Sequence, residues 1–197
     1  MARPRKTEIN SDNRREELII AAARLFSEKG YHGTSMRDVA AAINMQPGSP
    51  FYHFASKQEL LLAGAQRGLT DCLDALEAIN ARDMGAEDYF RALAHTHIEH
   101  LLSDRIGVVP LVVSEWQHLE AVHRATIVAL RRRYEALWLS AFERLKEGRV
   151  IRRADKLACW YFLGALHSIR EWYKPDGALS LHEIADSLVD WILGGKA

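Results

Sequence analysis

Twenty residues constrain this chain more than any others: Ser35-Met-Arg-Asp-Val-Ala-Ala-Ala-Ile-Asn-Met-Gln-Pro-Gly-Ser-Pro-Phe-Tyr-His-Phe54. They read as helix, tight turn, helix. Ser35 is a helix N-cap, and Asp38 stands three residues on to complete a capping box. Val39, Ala40 and Ile43 form one apolar face. Asn44 tolerates the left-handed backbone that ends a helix. Pro47 suits the first position of a second helix, over about 46–53, where its missing N–H costs nothing. Two short helices joined in this way let one brace while the other lies in the major groove of double-stranded DNA.

The rest of the chain also has helical spacing, with no strand alternation, internal repeat or low-complexity tract. A first helix over about 12–29 turns Leu18, Ala22, Leu25 and Phe26 inward and ends at Gly30. Ser56-Lys57-Gln58-Glu59 is a second capping box, opening a helix that reaches Asn80 with Leu62, Leu69, Leu73 and Leu76 on one stripe. Further helices are expected over 86–103, 108–119, 121–146 and 154–173. Another begins at the capping box Ser180-Leu-His-Glu183 and ends near Leu193. The expected fold is all-α, about nine helices, with a helix-turn-helix domain at 1–58 and a helical body at 59–197.

Charge follows this division. Residues 1–58 carry nine Lys/Arg against six Asp/Glu, whereas 59–197 carry seventeen against twenty. A basic lobe on a mildly acidic body suits a chain whose N-terminal part meets a polyanion. The cationic arm at residues 2–6 fits the same partner. The longest apolar runs are about ten residues, too short to span a membrane. No apolar core follows the basic N-terminus, so no secretory signal is expected. Cys72 and Cys159 show no paired spacing, which suits a reducing cytoplasm.

The helix-turn-helix has a characteristic setting. Phe-x-x-Lys-Gly-Tyr ends at Tyr31, Thr-Ser-x-Arg-Asp-Val-Ala begins at Thr34, and Tyr-His-Phe-x-Ser-Lys ends at Lys57. Residues 13–62 resemble the N-terminal DNA-binding domain of the TetR family of bacterial transcriptional repressors. The resemblance implies a cytoplasmic regulator, not an enzyme, that binds a palindromic operator as a homodimer and answers to a small-molecule effector. Thr34 and Ser35, at a helix start, suit a phosphate, and Arg37 could reach a phosphate or a guanine edge. The recognition face is expected from Gln46, Pro47, Gly48, Ser49 and Tyr52, with His53 beside it. Lys57 is poorly placed against its own helix dipole; the matching lysine of the family meets a DNA phosphate. Two residues depart from the pattern. Pro50 stands where leucine is common, and Phe51 replaces a tyrosine whose hydroxyl often touches phosphate, so that contact is not carried over.

The body carries the remaining expectations. Leu157-Ala-Cys-Trp-Tyr-Phe-Leu-Gly-Ala-Leu166 is apolar on every side, so a helix there needs cover on every side. A second subunit could supply it, with Trp160, Gly164, Ala165, Ile184 and Leu188 at the interface. The family's usual dimer is an antiparallel four-helix contact of this kind, which sets two recognition helices about 34–36 Å apart. Effector-pocket candidates are Phe90, His97, Trp116, Tyr134, Trp138, Tyr161 and His167. Glu171-Trp-Tyr-Lys-Pro-Asp-Gly177 is similar to a string in a TetR branch that senses acyl-CoA thioesters. Arg131-Arg132-Arg133 could meet phosphates, but Glu135 offers Arg131 an i,i+4 partner. No cofactor or metal is expected, since the histidines lack H-E-x-x-H or cysteine-rich spacing. A metal-sensing regulator and a DNA-binding protein without an effector are the competing readings.

Overall fold

A computed structural model describes residues 6–80, 84–102 and 115–194; the side chains of residues 6–11 and Asn80 fall outside that description. Among the described residues there are seven α-helices and no strand. They are α1 (Lys6–Gly33), α2 (Met36–Ala42), α3 (Lys57–Asn80), α4 (Ala86–Leu102), α5 (Ala121–Glu147), α6 (Lys156–Trp172) and α7 (Leu181–Ile192). Two short 3₁₀ turns, Ser49–Tyr52 and Glu115–His118, join them. The all-α class holds. The cationic arm, save the Lys6 backbone, and most of the expected helix over 108–119 lie outside the described residues. No helix among those described is long and apolar enough to cross a membrane.

Local chemistry accounts for most boundaries. Gly30 (φ 74°, ψ 165°) breaks α1, and a last turn follows it. Ser35 and Asp38 form both halves of a capping box: Asp38 Oδ2 accepts the Ser35 N–H at 2.7 Å, and Ser35 Oγ accepts the Asp38 N–H at 3.2 Å. Asn44 takes the left-handed conformation (φ 54°). Ser180 and Glu183 cap α7 in the same reciprocal way. At Ser56 the box is skewed. Glu59 donates its N–H to Ser56 Oγ at 3.2 Å, but its carboxylate reaches back to the Ala55 N–H at 2.9 Å.

The expected helix over 46–53 is instead a 3₁₀ turn. An α-helix there would need the residue 50 N–H to reach the Gln46 carbonyl, and Pro50 has none. The chain closes tighter bonds, Ser49 N–H to Gln46 O at 2.9 Å and Phe51 N–H to Gly48 O at 3.2 Å. Pro50 itself is buried.

The chain divides into two compact units. The first comprises Met1–Thr70 with Asp104–Leu130, and the second Asp71–Ser103 with Arg131–Ala197. Leu18, Ile19, Ala22, Phe26, Val39, Phe54, Leu60, Leu61 and Ala65 fill the core of the first, joined by Leu119 and Ile127. In the second, α4, α5 and α6 meet around an aromatic knot: Phe90 touches Phe142 edge-on at 5.0 Å, and Phe162 packs 4.9 Å from Phe90. Arg91 on α4 fixes α7 by bonds to Asp186 and Asp190, both 2.6 Å.

Candidate nucleic-acid interface and effector cluster

In the first unit, the end of α1, the start of α2 and the turn after it border an open groove of about 830 Å³. Gly33, Ser35, Arg37, Pro47, Gly48, Phe51 and Lys57 are among its lining residues. Arg37, Gln46, Pro47 and Gly48 are exposed, Ser49 and His53 half-buried, and Tyr52 is 90% exposed at the tip of the 3₁₀ turn. Six of the ten expected contact residues line this one groove; Gln46, Ser49, Tyr52 and His53 flank or belong to the same turn. Gly48 is notable because its own fold does not need a glycine. Its φ is −88°, and a Cβ built on it meets nothing within 4 Å. Space there is left for something outside the chain.

Two expected contacts acquire internal partners. Thr34 is buried, and its hydroxyl lies 3.1 Å from the Leu25 carbonyl and 3.0 Å from that of Gly30. That hydroxyl ties down the end of α1 and is not open to a phosphate, which corrects the expectation. Lys57 sends its ammonium back to the carbonyls of Tyr31 and Thr34, both at 2.9 Å, and lies 4.0 Å from the centre of the Tyr31 ring. Its unfavourable position in the first turn of α3 is explained by these acceptors. Partial burial lowers its pKa.

Behind the groove, residues remote in sequence lock together. The Tyr31 N–H donates to Glu115 at 2.7 Å, and the His118 ring stacks on Tyr31 at 5.6 Å. Gln58 donates to Tyr31 Oη and the His118 carbonyl and accepts the Glu120 N–H. Neither this network nor the place of His32 on the groove wall has a signal in the sequence, because its hydrogen-bonded partners are 27 to 84 residues apart.

Comparison with known proteins agrees with this geometry. Residues 18–63 match the family described as bacterial regulatory proteins, tetR family, and residues 83–196 match the tetracyclin repressor-like C-terminal domain. The chain belongs to the TetR family. It is 29% identical to the HTH-type transcriptional repressor KstR2 of Rhodococcus jostii (strain RHA1), over 93% of this chain and 91% of that protein. It is 24% identical to the HTH-type transcriptional activator FasR of Mycolicibacterium smegmatis (strain ATCC 700084 / mc(2)155), over 93% and 83%. Among solved structures, AibR in complex with isovaleryl coenzyme A and operator DNA aligns at a TM-score of 0.84 and 28% identity, covering 92% of this chain and 99% of that one. Its family is one of transcription regulators, and the helix-turn-helix read from the sequence is the TetR-type one.

The second unit of this TetR-family chain brings together five of the seven expected pocket residues. Phe90, His97, Tyr134, Trp138 and His167 form one ring cluster, with His97 5.6 Å from Tyr134, 5.9 Å from Trp138 and 5.1 Å from His167. Burial drives the pKa of His97 well below its usual value and that of His167 down to about 4, so both are neutral at pH 7. Burial also pushes the pKa of the Cys72 thiol, beside His97, up to about 12, so it is protonated at pH 7. The other two residues fall elsewhere. Tyr161 is 65% exposed on the outer face of α6, and Trp116 packs in the first unit's core. Helical phase decides this: Tyr161 follows Trp160 on the side opposite Phe162 and Leu166. Among the described residues no group of three or more His, Cys, Asp or Glu is arranged to hold a metal ion.

On the outer side of α6, Leu157, Trp160, Tyr161 and Trp172 are exposed, and Gly164 lies open between them. A Cβ on Gly164 meets nothing within 4 Å. Ala165 and Leu188 are partly buried, whereas Ile184 is sunk in its own core. Trp191, 69% exposed, extends this face on α7; its spacing of three from Leu188 was the available sequence signal. Glu135 accepts from Trp160 Nε1 at 2.6 Å and meets Lys156 Nζ at 3.2 Å.

Proposed function

We propose that this TetR-family chain is a cytoplasmic repressor. It binds a palindromic operator as a homodimer and releases it when an acyl-coenzyme A thioester occupies the second unit. The observation that carries the reading is the end-to-end likeness to AibR, a protein seen with both isovaleryl coenzyme A and operator DNA. The groove and the exposed 3₁₀ turn supply the DNA surface: Arg37 and the backbone around Ser35 face phosphate, Lys57 adds charge, and Gln46, Pro47, Gly48, Ser49, Tyr52 and His53 approach the major groove. The exposed apolar face of α6 and α7, with Trp160, Gly164, Ala165 and Leu188, is the surface for the second subunit. α3 starts at the groove and ends in the second unit's core, so it is the element through which occupancy of one site biases the other.

Native mass spectrometry of the purified protein tests assembly and ligand together. A dimer whose adduct has the mass of an acyl-coenzyme A supports both parts. Anisotropy on DNA from the chain's own promoter should then show release by that thioester. A monomer at micromolar concentration refutes the dimer, and undiminished DNA binding at saturating thioester refutes the effector. Because FasR is an activator, the sign of regulation is read separately, from a promoter fusion with and without the gene.

A further inference from the structure

Resting on the DNA-binding reading above, we infer that Glu115 and Gln58 are positioning residues for operator binding. They fix Tyr31, and with it the His32–Ser35 wall of the groove, without lining the groove themselves. The match to the family's DNA-binding region stops at residue 63, yet residues 115–120 belong to the same compact unit. Leu119 sits in that unit's core, and Trp116 packs against it. The DNA-binding unit is therefore completed by a stretch far along the chain.

Tyr31 is the peg, and each of its polar atoms is engaged. Its N–H donates to Glu115 at 2.7 Å, its carbonyl accepts from Lys57 at 2.9 Å, and its hydroxyl accepts from Gln58 at 2.9 Å. The His118 ring stacks on it at 5.6 Å, and the Lys57 ammonium lies 4.0 Å from its centre. The Gln58 amide is used in full: its nitrogen donates to Tyr31 Oη and the His118 carbonyl, and its oxygen accepts the Glu120 N–H. The Glu115 side chain is only 15% exposed, so an unmade bond there is costly. Gly30 precedes Tyr31 with a positive φ and no atom packed where a Cβ would stand. It offers little resistance to rotation, so the stretch from Tyr31 to the Ser35 cap takes its setting from these tethers. His32, Gly33, Thr34 and Ser35 then line the groove, and Ser35 opens the helix that carries Arg37.

Charge and position make opposite demands of Glu115. An anion in a unit that binds a polyanion weakens binding by repulsion, so charge alone predicts tighter binding when it is removed. A positioning role predicts weaker binding.

Fluorescence anisotropy of the full chain tests this on two duplexes, one from the chain's own promoter and a scrambled one of equal length. Glu115→Leu should bind the promoter duplex about tenfold more weakly, the scale of one lost bond to a charged group. Its affinity for the scrambled duplex should be unchanged or higher. Glu115→Gln keeps an acceptor oxygen without the charge and should stay within about threefold of the unaltered protein. Thermal melting followed by circular dichroism checks that each variant is folded. Where Glu115→Leu is not, Gln58→Leu takes its place, with the same loss expected on the promoter duplex. Undiminished promoter affinity in the folded leucine variant overturns the inference and leaves the DNA-binding reading intact. Equal losses on the two duplexes overturn it too, as does a glutamine variant as weak as the leucine one. An unaltered protein with no preference for the promoter duplex overturns the DNA-binding reading, and the inference with it.

Discussion

Gly48 illustrates how a single residue can carry external information. Its backbone is helical and its Cβ position is empty, so alanine fits without strain. Gly48→Ala should leave thermal stability unchanged or raise it by about 0.4–1 kcal/mol through the unfolded chain. The same methyl group, in the open space of the groove lining, should weaken operator binding by about tenfold, or 1.4 kcal/mol. Equal operator affinity in anisotropy would show that DNA does not approach here. Thr34 is the opposite case. Thr34→Val removes a buried hydroxyl that bonds the Leu25 and Gly30 carbonyls. It should cost about 1 kcal/mol in urea melts. A variant of full stability that no longer binds DNA would return the hydroxyl to the role of a phosphate ligand.

At the scale of elements, Pro50 and Gly164 show two uses of a poor helix former. Pro50 turns what the periodicity predicts as a helix into a 3₁₀ turn, which holds Tyr52 out from the surface. Gly164 lies inside α6 with open space before it. A glycine there weakens the helix by about 1 kcal/mol relative to alanine, a cost that the proposed close approach of a second subunit's helix would offset. Gly164→Leu should leave each chain's helix content intact while shifting sedimentation from dimer to monomer. A dimer of unchanged affinity would move the interface elsewhere. The network joining Tyr31, Gln58, Glu115 and His118 could not be read beforehand, because no local pattern encodes a pairing across so many residues.

For the whole molecule, the ring cluster couples stability to pH. The folded-state pKa values of His97 and His167 lie below the value near 6.5 of an unfolded histidine, His167 at about 4. Below pH 6.5 the unfolded chain takes up protons that the folded chain refuses. The stabilisation is therefore complete above 6.5 and is lost as pH falls toward 4. The loss should approach about 1 kcal/mol per pH unit for each histidine. Urea melts between pH 7.5 and 4.5 measure it. The difference curve against His167→Gln isolates that residue, and a flat difference would mean that its neutral form is not favoured.

What the sequence determined by itself is local. The caps at Ser35 and Ser180, the left-handed Asn44 and the break at Gly30 depend on groups within four residues of one another, so chain neighbours alone specify them. The helical periods likewise sorted most core positions, and the capping and turn chemistry marked the helix-turn-helix segment. Only the tertiary structure decided the fates of Thr34, Lys57 and His97. Each can hydrogen-bond or stack with several partners, and the choice rests on which remote groups packing brings within about 3 Å. Burial then set the charge of the two histidines, a property of the desolvated cluster rather than of either side chain.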